Sequence, residues 1–127
     1  MIAVDTSTFS SYLKGESGKD IKILDKALQE NQVMLPPVVL TEILSAPGLV
    51  DLKLAKIFAT LPILDVDTKY WFRVAETRRS LLHKHLKSRL GDACIAQSCL
   101  DHRIPLLTRD TDFKHYSKLV GLMLVKC

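Results

Sequence analysis

The apolar residues of this 127-residue chain fall into short continuous runs that alternate with longer segments of helical periodicity. Short apolar runs bounded by turn residues predict buried strands. They cover residues 2–4, 33–35, 63–64, 105–108 and 122–125. Buried strands that alternate with helices are typical of a mostly parallel sheet covered on both faces. We therefore predict a single three-layer α/β domain over residues 1–127, with a central, mostly parallel sheet of about five strands flanked by helices.

Apolar residues that recur at helical spacing predict the helices between these strands. The predicted helices cover residues 6–15, 20–30, 38–45, about 50–61, about 68–88 and a segment that Asp92 opens. Thr6 or Ser7 is the expected N-cap of the first helix, because a short hydroxyl side chain can accept from its free amides. The longest helix is expected to bury a stripe made of Trp71, Val74, Ala75, Leu82 and Leu86.

Four acidic residues lie where a parallel sheet binds its ligands. Asp5 ends the first predicted strand, and Asp110 follows the fourth. Asp92 opens the helix that leads into that fourth strand, and Glu42 lies on the helix after the second. Because ligands of open parallel sheets bind beyond the carboxyl ends of the strands, we expect these side chains to lie close together.

Each acid has an ordinary structural explanation when it is considered alone. Asp5 and Asp92 suit helix N-termini, Asp110 suits a turn, and Glu42 could be a solvated helix position. Four carboxylates at one edge, however, would repel one another unless protons or cations offset their charge. Mg²⁺ and Mn²⁺ are the natural cations for a site made only of oxygen ligands. The set therefore indicates a divalent metal site.

Four segments resemble, in order and over nearly the whole chain, the motifs of PIN-domain ribonucleases. They are Asp-Thr-Ser at 5–7 after an apolar strand, Val-Val-Leu-Thr-Glu-Ile at 38–43, Gly-Asp-Ala-Cys-Ile-Ala at 91–96 and Leu-Thr-Arg-Asp-Thr-Asp-Phe at 107–113. The last two motifs are the most specific. Among PIN proteins, a chain of this length is most similar to the VapC-like toxins of bacterial and archaeal toxin–antitoxin pairs.

The resemblance implies an endonuclease that cleaves RNA with Mg²⁺ or Mn²⁺, is restrained by an antitoxin protein and forms a homodimer. The implied catalytic residues are Asp5, Glu42, Asp92 and Asp110. Asp5, Asp92 and Asp110 would hold the metal, and Asp112 would hold a water or a weaker second ion. Which of Asp110 and Asp112 is the main fourth ligand stays open, with Asp110 favoured. The hydroxyls of Thr6, Ser7 and Thr108 are candidates to orient the carboxylates by hydrogen bonds.

A basic run along the longest predicted helix leads toward Asp92, in a chain with 18 basic and 14 acidic residues. The run consists of Arg73, Arg78, Arg79, His83, Lys84, Lys87 and Arg89. It is either a solvated helix face or a track for RNA phosphates, which the acids themselves would repel. On the second interpretation Arg78, Arg79, Lys84, Lys87 and Arg89 contact RNA, and Arg78 interrupts the apolar stripe.

The remaining features favour a cytoplasmic protein with no membrane segment. Three cysteines without a Cys-x-x-Cys pair fit a reducing compartment. The N-terminus lacks the pattern of a signal peptide, and no apolar run approaches the roughly 18 residues of a membrane span.

Two alternatives to an RNA-cleaving enzyme stay open. One is a catalytically inactive PIN fold that binds RNA or a protein partner. The other is a PIN nuclease that acts on DNA, because the residues alone do not separate the two nucleic acids. A receiver-like phosphoacceptor domain fits poorly, since Asp5 is followed by Thr-Ser where such domains carry paired acids.

Overall fold

The chain alternates short strands with helices, as its apolar pattern predicts. The computed structural model describes residues 1–48, 57 and 60–127. Its elements are β1 (Ile2–Val4), α1 (Thr6–Leu13), α2 (Lys19–Gln29), β2 (Val33–Met34), α3 (Pro37–Ser45), α4 (Tyr70–His83), α5 (Leu90–His102), β3 (Leu106–Leu107) and α6 (Phe113–Val120). Most of the helix predicted over 50–61 lies outside the described residues. No helix in the described ranges is both long and apolar enough to cross a membrane.

The sheet is parallel and has the strand order β2-β1-β3. One isolated parallel bridge extends it at each edge, Leu35 with Ile63 and Leu106 with Leu124. The α/β fold with a parallel sheet is therefore confirmed. Of the five predicted strands, the third and fifth are single bridges in the part of the chain that the structure describes.

Prolines limit the length of strand pairing at the edges of the sheet. Pro36 and Pro37 directly follow Leu35, so the chain has no amide hydrogen there to continue pairing with the segment at Ile63. Pro105 precedes β3 and limits that strand in the same way at its start.

The most deeply enclosed helix is α5. Every residue from 93 to 99 is buried, including the polar side chains of Gln97 and Ser98. The helix contacts α3, α4 and α6, and the buried strand residues Ala3 and Val4 belong to the same core. Asp92 sits in the first turn of this helix, so the packing of the core fixes where its backbone lies.

The predicted limits of α4 and most of its predicted buried face are wrong, although Val74 is buried as predicted. The helix covers Tyr70–His83 rather than 68–88, and its buried residues are Tyr70, Val74, Thr77 and Leu81. Trp71 is 59% exposed and Leu82 is 43% exposed. Polar contacts override the apolar spacing, because the Tyr70 hydroxyl donates to the Cys94 carbonyl and the Thr77 hydroxyl donates to Gln97.

An ion pair joins the start of α2 to the turn after β3. Arg109 Nε donates to Asp20 Oδ2 at 2.8 Å, and Arg109 Nη2 donates to Asp20 Oδ1 at 3.0 Å. Hydrogen bonds from Arg109 lower the pKa of the Asp20 carboxyl below its ordinary value of 3.8. Gly18 leaves room for this pair, since a Cβ there would lie 2.6 Å from Asp20 Oδ1 and the residue has φ +152°.

Replacing Gly18 with alanine is therefore expected to disturb both the backbone and the ion pair. We expect the free energy of unfolding to fall by about 3 kcal/mol in Gly18→Ala, measured by urea denaturation. The control is Gly15→Ala, where φ is +77° but nothing lies within 4 Å of the added carbon. That variant should lose only about 1 kcal/mol, from backbone strain. Equal losses would contradict a specific role for the space at Gly18.

Candidate active site

The acids predicted from the sequence line one open cleft at the carboxyl edge of the sheet. The cleft has a volume of about 280 Å³. Its walls are formed by Asp5, Thr6, Ser7, Ser10, Glu42, Arg89, Asp92, Ile95 and Asp110. The four candidate catalytic acids, which lie up to 105 positions apart in sequence, are therefore brought together by the fold.

Asp5 is the most buried of these acids, at 2% exposure. It caps α1 through a hydrogen bond from the Thr8 amide to Oδ1 at 3.0 Å, which corrects the prediction of Thr6 or Ser7 as the N-cap. Its Oδ2 accepts from the hydroxyls of Ser7 at 2.7 Å and Thr108 at 2.6 Å. Burial raises the pKa of this carboxyl, and the three hydrogen bonds oppose that effect. The carboxylate is thus held in one orientation.

Glu42 reaches the cleft from α3 and is exposed. The Thr6 hydroxyl, in the first turn of α1, donates to Glu42 Oε1 at 2.7 Å. On the other side the carboxylate lies close to Gly91 of α5, where a Cβ would stand 3.6 Å from Oε2. Thr6, Ser7 and Thr108 therefore each donate a hydrogen bond to a cleft carboxylate.

Asp110 and Asp112 lie on the turn after β3. The Asp110 amide donates to Thr108 Oγ1, and the Asp112 amide donates to Asp110 Oδ1, both at 2.9 Å. The Thr108 hydroxyl thus accepts from the turn and donates to Asp5 at the same time. Carboxylate oxygens of Asp92, Asp110 and Asp112 all lie within 4.8 Å of one another.

This crowding changes the acidity of Asp92. Burial, followed by the negative charges of Asp110, Asp5 and Glu42, raises its pKa from 3.8 to about 6, and the positive charge of Arg89 opposes this shift. A divalent cation at this point would offset the same repulsion. The donor set consists only of oxygens, which is the set that Mg²⁺ and Mn²⁺ prefer, so the residues present fit such an ion.

The motif resemblance can be compared with what is known of other proteins. Residues 2–119 match the family described as PIN domain. This chain belongs to the PIN-domain family. No curated protein sequence matches it significantly. The resemblance predicted from the sequence is thus confirmed, and PIN proteins are nucleases.

Three solved structures are similar in fold to this PIN domain. VapBC2 from Rickettsia felis, bound to a DNA fragment from its promoter, has a TM-score of 0.77 at 21% identity, with 98% of each chain covered. FitAcB from Neisseria gonorrhoeae has a TM-score of 0.69 at 19% identity, covering 99% of this chain and 97% of that one. VapBC-5 of the VapBC toxin–antitoxin family, from Mycobacterium tuberculosis, has a TM-score of 0.63 at 23% identity, covering 99% and 98%.

The basic residues of the predicted track occupy different environments in this PIN domain. Arg89 lines the cleft, and Lys87 Nζ lies 3.6 Å from Asp112 Oδ2 at its rim. Arg79 and Lys84 line a separate groove of about 430 Å³ between α4 and α6. The half-buried Arg78 donates from Nε to the Ser88 carbonyl at 2.9 Å.

The first residue of that run faces elsewhere. The Arg73 guanidinium bonds Asp101 and Asp67, with Nη2 at 2.6 Å from Asp101 Oδ2 and 3.1 Å from Asp67 Oδ2. This guanidinium is therefore already paired with two carboxylates.

Sequence reasoning missed Ser10 and Ile95 as cleft residues, and it missed the Arg109–Asp20 pair beside the cleft. Ser10 and Ile95 lie one helical turn from Thr6 and Asp92, which is a signal that was present in the sequence. Arg109 and Asp20 are 89 positions apart, and only the fold brings them together.

The raised pKa of Asp92 makes a prediction about stability. Below about pH 4 the carboxyl is neutral in both states; between about pH 4 and 6 it ionises in the unfolded chain but resists ionising when folded. The charge therefore destabilises the metal-free protein increasingly up to about pH 6 and fully above it. Because solvent screens a half-buried group, we expect Asp92→Asn to raise the free energy of unfolding at pH 7 by only about 1 kcal/mol.

The same comparison in EDTA at pH 4 should show much less stabilisation, because the wild-type carboxyl is then neutral in the folded state and only about half ionised in the unfolded chain. Glu76→Gln, at an exposed position on α4, is the control for loss of a surface charge and should change little at either pH. An Asp92→Asn variant that is less stable than wild type at pH 7 would contradict this account of the cleft.

Proposed function

We propose that this PIN domain is an endoribonuclease that depends on Mg²⁺ or Mn²⁺ and serves as the toxin of a type II toxin–antitoxin pair. The observation that carries the proposal is the convergence of Asp5, Glu42, Asp92 and Asp110 on one cleft of a chain that belongs to a nuclease family. Each of the four sequence motifs thereby contributes one acidic side chain to the same cleft.

The metal would be held by Asp5, Asp92 and Asp110, directly or through water, with Asp112 holding a water or a second ion. The grouping of Asp92, Asp110 and Asp112 within 4.8 Å supports this assignment. When bound, such an ion lowers the pKa of a coordinated water and neutralises charge on the phosphate that is attacked.

The protein's own groups would do the remaining work. Asp5 is oriented by three hydrogen bonds, so its carboxylate needs little rearrangement when a ligand arrives. Glu42 is held through Oε1 by Thr6, and its second oxygen would accept a proton from an attacking water. Arg89 supplies positive charge inside an otherwise acidic cleft, where an RNA phosphate must approach.

The basic residues would guide RNA into this cleft. The groove that contains Arg79 and Lys84 lies at the carboxyl end of α6, whereas Lys87 lies near the amino end beside Asp112. The eight residues of α6 span about 12 Å, so one RNA strand could contact both ends. Arg78 adds its charge to this surface. It also donates a hydrogen bond to the carbonyl of Ser88, the residue between Lys87 and Arg89 in the sequence.

The partners proposed for this chain are an antitoxin protein and a second copy of itself. Support for the antitoxin comes from the VapBC structures that share the fold. A toxin with this activity should stop bacterial growth when expressed alone, and coexpression of the antitoxin should restore growth.

The decisive experiment is a cleavage assay on a mixed structured RNA with Mn²⁺, Mg²⁺ or EDTA. We expect discrete fragments with either metal and none with EDTA. Asp92→Asn should reduce cleavage at least about 10²-fold, because loss of a metal ligand or proton-transfer group typically has that effect. Glu76→Gln serves as the matched control and should cleave like wild type.

Two results would redirect the assignment. Cleavage of single-stranded DNA at the same rate as RNA would overturn the RNA preference while retaining the nuclease. Folded protein that binds RNA or a protein partner but cleaves no nucleic acid with either metal would favour the alternative, a catalytically inactive binding module.

The proposed RNA surface makes a separate prediction about salt. In EDTA, where RNA stays intact, Arg79→Ala combined with Lys84→Ala should weaken binding. It should also flatten the plot of log affinity against log salt by about 0.7 per lost phosphate contact. Lys22→Ala with Lys26→Ala is the charge-matched control, since α2 lines neither the groove nor the cleft. An unchanged slope in the first pair would remove the groove from the RNA path.

A further inference from the structure

We propose that Arg109 is a positioning residue, whose ion pair with Asp20 holds the turn over 108–112 so that Thr108 and Asp110 face the rest of the cleft. The expected effect on metal binding and catalysis rests on the proposed function, whereas the contacts of Arg109 do not depend on it. Arg109 lies between Thr108 and Asp110 in sequence, yet it does not line the cleft. Its side chain instead bonds to α1, to α2 and to the segment between them.

The contacts of the guanidinium are too specific for a screened surface charge. Two of its nitrogens bond the two oxygens of Asp20, at 2.8 Å and 3.0 Å, and Nη1 donates to Ser11 Oγ at 3.0 Å. Asp20 is only 8% exposed. A two-point pair of this kind fixes the orientation of both groups, which a lysine ammonium could not do.

The pair also closes a ring of contacts that includes Asp5. Thr8 donates its hydroxyl to Asp20 Oδ2 at 3.1 Å and its amide to Asp5 Oδ1 at 3.0 Å. Asp5 accepts a hydrogen bond from the hydroxyl of Thr108. Thr108 directly precedes Arg109 in the chain, and Arg109 donates to Asp20, which completes the ring. The turn is therefore tied to Asp5 by two routes, one through the Thr108 hydroxyl and one through Arg109, Asp20 and Thr8.

If the second route is broken, the side-chain contacts between the turn and Asp5 are reduced to the Thr108 hydroxyl, beside the backbone bond from the Asp5 amide to the Leu107 carbonyl. Asp110 and Asp112 should then sample more positions relative to Asp92. The predicted consequence is weaker metal binding and slower chemistry with little change in RNA affinity. Substitutions that disturb the orientation of metal ligands typically reduce metal affinity or activity about 10- to 100-fold.

The test compares Arg109→Lys, Asp20→Asn and the double variant with wild type. Hydrogen exchange at the amides of Asp110 and Asp112 reports the order of the turn, because both amides donate within it. Calorimetry with Mn²⁺ gives metal affinity, and cleavage kinetics separate kcat from KM. Arg73→Lys is the matched control, since its guanidinium is likewise paired with carboxylates, those of Asp67 and Asp101, but lies outside the cleft. All proteins are compared at a temperature where each is folded.

We expect both single variants to accelerate exchange at the two amides and to weaken Mn²⁺ binding about 10-fold, with kcat lowered and KM nearly constant. The double variant should be no worse than either single one, because both break the same contact. Arg73→Lys should change none of these quantities.

Unchanged exchange at Asp110 and Asp112 in both single variants would overturn the proposal, whatever the stability of the variants. A raised KM in Arg109→Lys, together with an unchanged KM in Asp20→Asn, would also overturn the proposal, because it would show that Arg109 contacts RNA. If wild type itself neither binds Mn²⁺ nor cleaves RNA, the proposed function fails, and amide exchange still decides whether the ion pair orders the turn. If Arg109→Lys does not fold, Asp20→Asn provides the same test.

Discussion

Mutual repulsion among carboxylates at one edge of the sheet is the constraint on which the rest of this structure depends. Asp92 shows it most clearly, because burial and its acidic neighbours hold its pKa at about 6. The surrounding protein opposes that repulsion with hydroxyl donors and with Arg89 at the cleft wall. These contacts reduce the repulsion, and a bound cation would reduce it further.

The fold and the main acids of the cleft could be predicted from the sequence because both follow local rules. Short apolar runs predict the strands, and a parallel sheet brings its carboxyl ends to one edge. Asp5 and Asp110 follow strands directly, so their meeting needed no knowledge of side-chain contacts. Glu42 and Asp92 lie on helices next to these strands, and the PIN motifs supported their assignment to the same site.

The errors share a physical cause, which is that polar side chains can be buried when they have partners. Tyr70 and Thr77 form hydrogen bonds to α5 and lie buried, while Trp71 faces outward. Apolar spacing alone predicted a stripe that is rotated around the helix and shares only Val74 with the buried residues of α4. The Arg109–Asp20 pair depends on contacts between distant parts of the chain, which no local pattern reports.

The acids of the cleft differ in how freely each can move. Asp5 is capped and buried, Asp92 stands on a helix enclosed by the core, and Asp110 lies on a bonded turn. Glu42 is exposed on α3 and is held through one oxygen by Thr6. Adjustment to a substrate that enters at a different angle therefore falls mainly to Glu42. The cleft combines three acids of fixed position with one adaptable acid, and tolerance for more than one direction of substrate approach would originate at that residue.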